Sequence, residues 1–94
     1  MQHLLVVYDI SDNKTRRIVG EILEGYGIRV NRSVFEVRLK HTNERTKLEY
    51  ALLREIDPAV DSVRIYPLCR NCIKNATVLG NEPDVFDING VYFY

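Results

Sequence analysis

Leu4, Leu5, Val6, Val7 and Tyr8 form an unbroken apolar run that ends abruptly at Asp9. A run of that length without alternation is the pattern of a β-strand covered on both faces, so residues 3–10 are expected to form a central strand of a sheet. It is far too short to cross a bilayer, and no basic segment precedes it as in a signal peptide. The expected location is therefore the cytoplasm. At 94 residues the chain has material for one core and one domain, covering residues 1–94.

After the strand, Ser11 or Asp12 offers a side-chain oxygen to cap a helix. Ile18, Val19, Ile22, Leu23 and Tyr26 follow at helical spacing until Gly25 and Gly27 stop it. Residues 28–40 are too long for one strand, and Asn31, Arg32 and Ser33 mark a tight turn or a bulge between two strand pieces. Thr42 is expected to cap a second helix, in which Leu48, Leu52 and Ile56 form a stripe that Leu53 widens, until Asp57 and Pro58 end it. Residues 62–68 alternate as a strand, with Val63 and Ile65 on one face and Arg64 and Tyr66 on the other. This order is that of an α+β, ferredoxin-like βαββαβ sandwich. The remainder reads as loop plus one or two added strands near 77–79, 85–86 and 91–94, with residues from about 80 to 94 forming an edge-strand tail.

Thirteen basic and thirteen acidic residues cancel over the chain. Their distribution is uneven. Residues 14–40 hold seven basic side chains (Lys14, Arg16, Arg17, Arg29, Arg32, Arg38, Lys40) against Glu21, Glu24 and Glu36, whereas Glu82, Asp84 and Asp87 meet no cation after Gly80. Such polarity suits an anion at one part and a protein partner at another, or it is an ordinary solvated surface. Lys14, Arg16 and Arg17, near a helix start, are the candidate phosphate contacts.

Asp9 is the candidate for chemistry. An ionised carboxylate at the end of a covered strand needs a partner, a hydrogen bond or a metal, unless it only caps the following turn. Ser11 and Asp12 add oxygens of the kind Mg²⁺ accepts, but one carboxylate is too few. A two-fold dimer would supply the second from a copy of Asp9. Cys69 and Cys72 are half of a zinc site or, as favoured here, free thiols in a loop, and too close in sequence to frame a disulfide fold. A thioredoxin-like role is disfavoured because no helix is expected after them. His3 and His41 lack catalytic neighbours in sequence and read as structural or solvated.

The segments Val7-Tyr8-Asp9-Ile10-Ser11-Asp12, Arg16-Arg17, Tyr26-Gly27, Arg29-Val30-Asn31, Ser33-Val34-Phe35-Glu36 and Val63-Arg64-Ile65-Tyr66-Pro67-Leu68-Cys69, in this order and spacing, closely resemble the CRISPR-associated protein two family. The resemblance implies a ferredoxin-like homodimer with a divalent metal, Mg²⁺, between the first-strand aspartates of its two subunits. It implies metal-dependent cleavage of RNA or DNA in some members. It also implies a place at the centre of the spacer-acquisition complex, bridging dimers of the integrase, CRISPR-associated protein one, on a DNA duplex. Carried over by position, Asp9 is the metal ligand and catalytic residue, and Tyr8, Ser11, Ser33 and Phe35 position the site. Val85, Phe86, Val91 and Phe93 of the tail would dock the integrase. The alternative is a nucleic-acid-binding scaffold that does not cleave.

Overall fold

The structure, a computed structural model, describes residues 1–87. Four strands and two long helices alternate as β1 (Gln2–Asp9), α1 (Asn13–Glu24), β2 (Gly27–Asn31), β3 (Val34–Leu39), α2 (Thr42–Glu55) and β4 (Ser62–Leu68). A short helix, α3 (Arg70–Lys74), follows. The strands form one antiparallel sheet in the order β2-β3-β1-β4, the ferredoxin-like arrangement, with β1 in its interior as its apolar run requires. No helix among the described residues is long and apolar enough to cross a membrane.

Alternation along β1 divides its run between two faces. Leu4, Val6 and Tyr8 face the helices and are buried with Ile10, Val19, Leu23, Phe35, Val37, Leu39, Leu48 and Leu52 in the core. Register carries the same face across the sheet, because Val6 lies opposite Phe35 and Ile65, and Tyr8 opposite Val63. Leu5 and Val7, on the other face, are only half-buried. Among the described residues the helices cover one face of β1 fully and the other face is covered only in part.

β2 comes close to β3 at Gly27, where a Cβ would lie 1.9 Å from the Glu36 carbonyl oxygen. No larger residue fits without moving a strand. Between the two strands both expected devices occur, a turn at Arg32 and Ser33 and a bulge between Arg29 and Asn31.

Several local expectations are corrected. Tyr26 lies beyond α1, which ends at Glu24 with Gly25 as its cap. His41, not Thr42, is the N-cap of α2, because Glu44 Oε1 reaches back to accept from the backbone N–H groups of Lys40 and His41 and so fixes the start one residue earlier. Leu53 is 57% exposed, since only the narrower Leu48 and Leu52 line meets the core. Residues 77–79 form no strand, and Leu79 points to solvent without a neighbouring edge to join. Residues 85–86 form a turn. The strand expected at 91–94 lies outside the described residues.

Candidate nucleic-acid interface

The carboxyl end of β1, the start of α1 and the β2–β3 turn converge at one end of the sheet. Val7 pairs with Val34 at the start of β3, and the Tyr8 N–H donates to the Ser33 carbonyl at 3.0 Å. Asp12 caps α1, its Oδ2 accepting from the Thr15 backbone N–H at 2.8 Å and from Thr15 Oγ1 at 2.9 Å. These bonds, the backbone one foremost, hold its carboxyl below the usual carboxylate range. Asp12 is therefore committed to the helix. Asp9 is exposed, its side chain has no hydrogen bond or ion pair among the described residues, and Ser11 is exposed beside it in sequence.

Asn13, Arg16, Arg17, Arg29, Arg32 and Ser33 line an open cleft of about 720 Å³ at this end. Two of its four guanidinium groups are fastened to the backbone. Arg16 donates to the Ile10 carbonyl at 3.2 Å and also to Asn13 Oδ1. Arg29 donates to the Arg32 carbonyl at 2.6 Å and to the Tyr8 hydroxyl at 3.4 Å, and its guanidinium lies 4.9 Å above the Phe35 ring. Gly20 on α1 makes room for Arg29, because a Cβ there would sit 2.6 Å from Arg29 Nη2. Arg17 makes an exposed pair with Glu21 at 3.2 Å, an interaction that solvent keeps weak.

Tyr8 and Phe35 lie beneath this cleft, their rings stacked with centroids 6.3 Å apart, and the Tyr8 hydroxyl donates to the Arg32 carbonyl at 3.4 Å. Both therefore support the arginines from the core side, while Ser33 contributes to the cleft wall. Lys14 is exposed on α1 and does not line the cleft. Sequence reasoning counted Arg29 and Arg32 in the basic surplus but did not single them out. The signal that could have found them is the turn between two strands, which places both beside the preceding helix.

Among the described residues no three His, Cys, Asp or Glu side chains come together to hold a metal. At this end of the sheet, among the described residues, Asp9 is the carboxylate left without a side-chain partner, which fits half of a divalent-cation site and not a whole one. His3 and His41 join no such group. His41 caps α2, and the His3 ring meets the Phe86 ring edge-on at 5.1 Å.

The tail anchors expected to meet a partner divide. Phe86 is only 8% exposed and packs on the outer face of its own sheet, its N–H donating to Glu36 Oε1 at 2.6 Å. Its φ of 53° is unusual for a bulky residue, and the buried ring and the bond to Glu36 hold it there. Val85 is half-buried, while Val91 and Phe93 lie outside the described residues. Cys69 and Cys72 are exposed free thiols, as expected, but they begin a helix rather than lie in a loop.

Burial pushes the Glu36 carboxyl above its ordinary value of about 4.5, and the Phe86 N–H only partly opposes this. The folded chain thus holds that proton more tightly than the unfolded chain. The contribution of Glu36 to stability is fully present below the ordinary value and is lost as pH rises through the raised one. Glu36→Gln retains an acceptor for Phe86 and removes the titration. The melting temperature of the variant minus that of the native chain is expected to grow as pH rises from about 4.5, measured by circular dichroism.

The family of CRISPR associated protein Cas2 matches residues 1–76 of this chain. A relative from Chloroflexus aurantiacus, CRISPR-associated endoribonuclease Cas2 1, is 41% identical over 80 residues, covering 84% of this chain and 85% of its own. Among solved structures, Streptococcus pyogenes Cas2 at pH 6.5 superposes with a TM-score of 0.74 and 32% identity, over 83% of this chain and 99% of that one. A chain of a partial Cas6-RT-Cas1–Cas2 complex does so with a TM-score of 0.73 and 34% identity, over 84% and 91%.

Proposed function

The chain belongs to the family of CRISPR associated protein Cas2, and on that premise we propose that two copies form a nucleic-acid-binding centre of CRISPR spacer acquisition. Their paired Asp9 carboxylates make a divalent-metal endonuclease site. The observation that carries this reading is the placement of Arg16, Arg17, Arg29 and Arg32 at the sheet end where β1 finishes in the unpaired Asp9. Cations that hold phosphate and a carboxylate that holds a cation are the two requirements of phosphodiester chemistry, and both occur at this end of the sheet.

The dimer is supported by the sheet face that the described residues leave largely uncovered. Leu5, Val7, Val34 and Leu68 are half-buried there and Tyr66 is 44% exposed, while Phe86 lies against His3 and Glu36. A two-fold copy laid on this face completes the burial that the run from Leu4 to Tyr8 calls for, and repeats Asp9 across the axis. Asp9 and its copy would hold the cation, Mg²⁺ by the preference of hard ions for oxygen. When bound, the cation supplies Lewis-acid polarisation of the scissile phosphate. The arginines bind flanking phosphates and fix the strand. Tyr8 and Phe35 hold Arg29, and Ser33 holds the turn through its carbonyl. The name endoribonuclease borne by the relatives supports RNA as a substrate.

A scaffold role accompanies or replaces cleavage in the second reading. Duplex DNA lies on the arginine clefts, and the tail holds a Cas1 integrase through Val85, Val91 and Phe93, with Phe86 as the anchor that ties the tail to its own sheet. The observation that favours it is the sparseness of the acidic set: among the described residues no three His, Cys, Asp or Glu side chains come together to hold a metal. Both readings require the dimer. Light scattering at micromolar concentration is expected to return twice the chain mass of 11.0 kDa; a monomer mass would overturn both.

A further inference from the structure

Cys69 is the N-cap of α3, with extended φ and ψ of −77° and 163°, and Cys72 is the third residue of the helix. Those two positions are neighbours on the first turn, where the side chain of the cap meets the backbone N–H of the third residue. Here the Cys72 N–H donates to Cys69 Sγ at 3.3 Å, and the two sulfur atoms lie 3.1 Å apart. Both residues are exposed, and they are the chain's two cysteines. Among the described residues no neighbouring group supplies a third metal ligand.

We propose that Cys69 and Cys72 are a redox-active dithiol that closes reversibly to an intrachain disulfide by exchange with a low-molecular-weight disulfide. The sulfurs need to approach by only about 1 Å to reach bonding distance. Cys69 is the attacking residue. The side-chain hydrogen bond shared with Cys72, and then the one donated by the Cys72 N–H, hold its thiol below the ordinary cysteine range and raise its thiolate fraction. With glutathione disulfide as oxidant, the Cys69 thiolate attacks one glutathione sulfur and the other glutathione leaves as a thiolate. Cys72 then gives its proton to solvent and attacks the Cys69 sulfur, displacing the second glutathione thiolate. Two electrons pass from the protein's two thiols to the oxidant, which becomes two molecules of reduced glutathione. The bond would fix the corner between β4 and α3, where Cys69 and Arg70 share a cleft with Met1, Gln2 and His3. His3 in turn carries the Phe86 ring, so the redox state reaches the base of the tail.

The full chain, incubated at a series of ratios of reduced to oxidised glutathione, quenched in acid and alkylated with iodoacetamide, gives the test by mass spectrometry. A single-chain species lacking two hydrogens, alkylated at neither cysteine and restored by reduced glutathione, is expected. Full alkylation of both cysteines at every ratio, or cross-links only between chains, would overturn the proposal. Variants assign the roles. Cys72→Ser is expected to stop as a glutathione adduct on Cys69, and Cys69→Ser to form its adduct about 10-fold more slowly. Equal rates would overturn the assignment of Cys69 as the attacking thiol.

Discussion

Asp9→Ala is expected to lower metal-dependent cleavage by about 10²–10⁴-fold, the scale of removing a group that acts in the transition state. Folding should be unaffected, because the side chain is exposed and makes no hydrogen bond or ion pair among the described residues. Each substitution removes a ligand twice, once from each copy, so no weakened site with half its carboxylates remains. Cleavage rates on matched RNA and DNA, with melting temperature and light scattering alongside, check the expectation. If Asp9→Ala loses cleavage but supports spacer acquisition, the scaffold reading accounts for the biological role. Loss of both places the acidic pair at the centre of that role. Unchanged cleavage means that the chemistry lies elsewhere.

The second large effect is on nucleic-acid binding, and the structure separates the arginines that carry it. Arg16 and Arg29 are tied to backbone carbonyls, so replacing them disturbs the turn and the helix start as well as the charge. Arg17 and Arg32 have exposed side chains in the same cleft, and among the described residues neither guanidinium makes such a tie to the backbone. The double variant Arg17→Ala, Arg32→Ala is expected to weaken all duplex sequences alike. It should also reduce the slope of log affinity against log salt by about two per protomer, if each arginine meets one phosphate. A loss confined to particular sequences, or an unchanged slope, would show that the cleft does not read the backbone. Arg29→Ala is the contrasting substitution. It should lower the melting temperature as well, because the Phe35 ring and the Arg32 carbonyl lose their common partner.

Much of this arrangement is legible in the residues, for physical reasons that also mark its limits. The continuous apolar run ending at Asp9 specifies an interior strand, and β1 lies between β3 and β4. Helical spacing identifies Val19, Leu23, Leu48 and Leu52 as core, but it cannot say how wide a helix face the sheet will accept. Leu53 therefore points to solvent. Capping is decided by competition between neighbouring residues, which is why Glu44 moves the start of α2 to His41. A helix of one turn has no periodicity to read, so α3 and the pairing of Cys69 with Cys72 emerge only in three dimensions. The arginine cleft is intermediate. Its charge surplus is visible in residues 14–40, whereas its membership depends on an antiparallel turn that brings Arg29 and Arg32 to the first helix. Phe86, a partner anchor on the sequence reading, packs beside Glu36, whose carboxyl on its own sheet offers the Phe86 N–H an acceptor that no sequence pattern announces.

The β1 face left half-covered by the described residues and the lone Asp9 at the end of that strand both ask for a second copy, and the shared metal site is where those two requirements meet. Titration calorimetry with Mn²⁺, a divalent ion that takes the same oxygen ligands, measures this directly on the native chain and on Asp9→Ala. Half an equivalent of metal per chain in the native protein and none in the variant is the expected result. One equivalent per chain, or binding that survives the loss of Asp9, would contradict a site built from two copies of that residue.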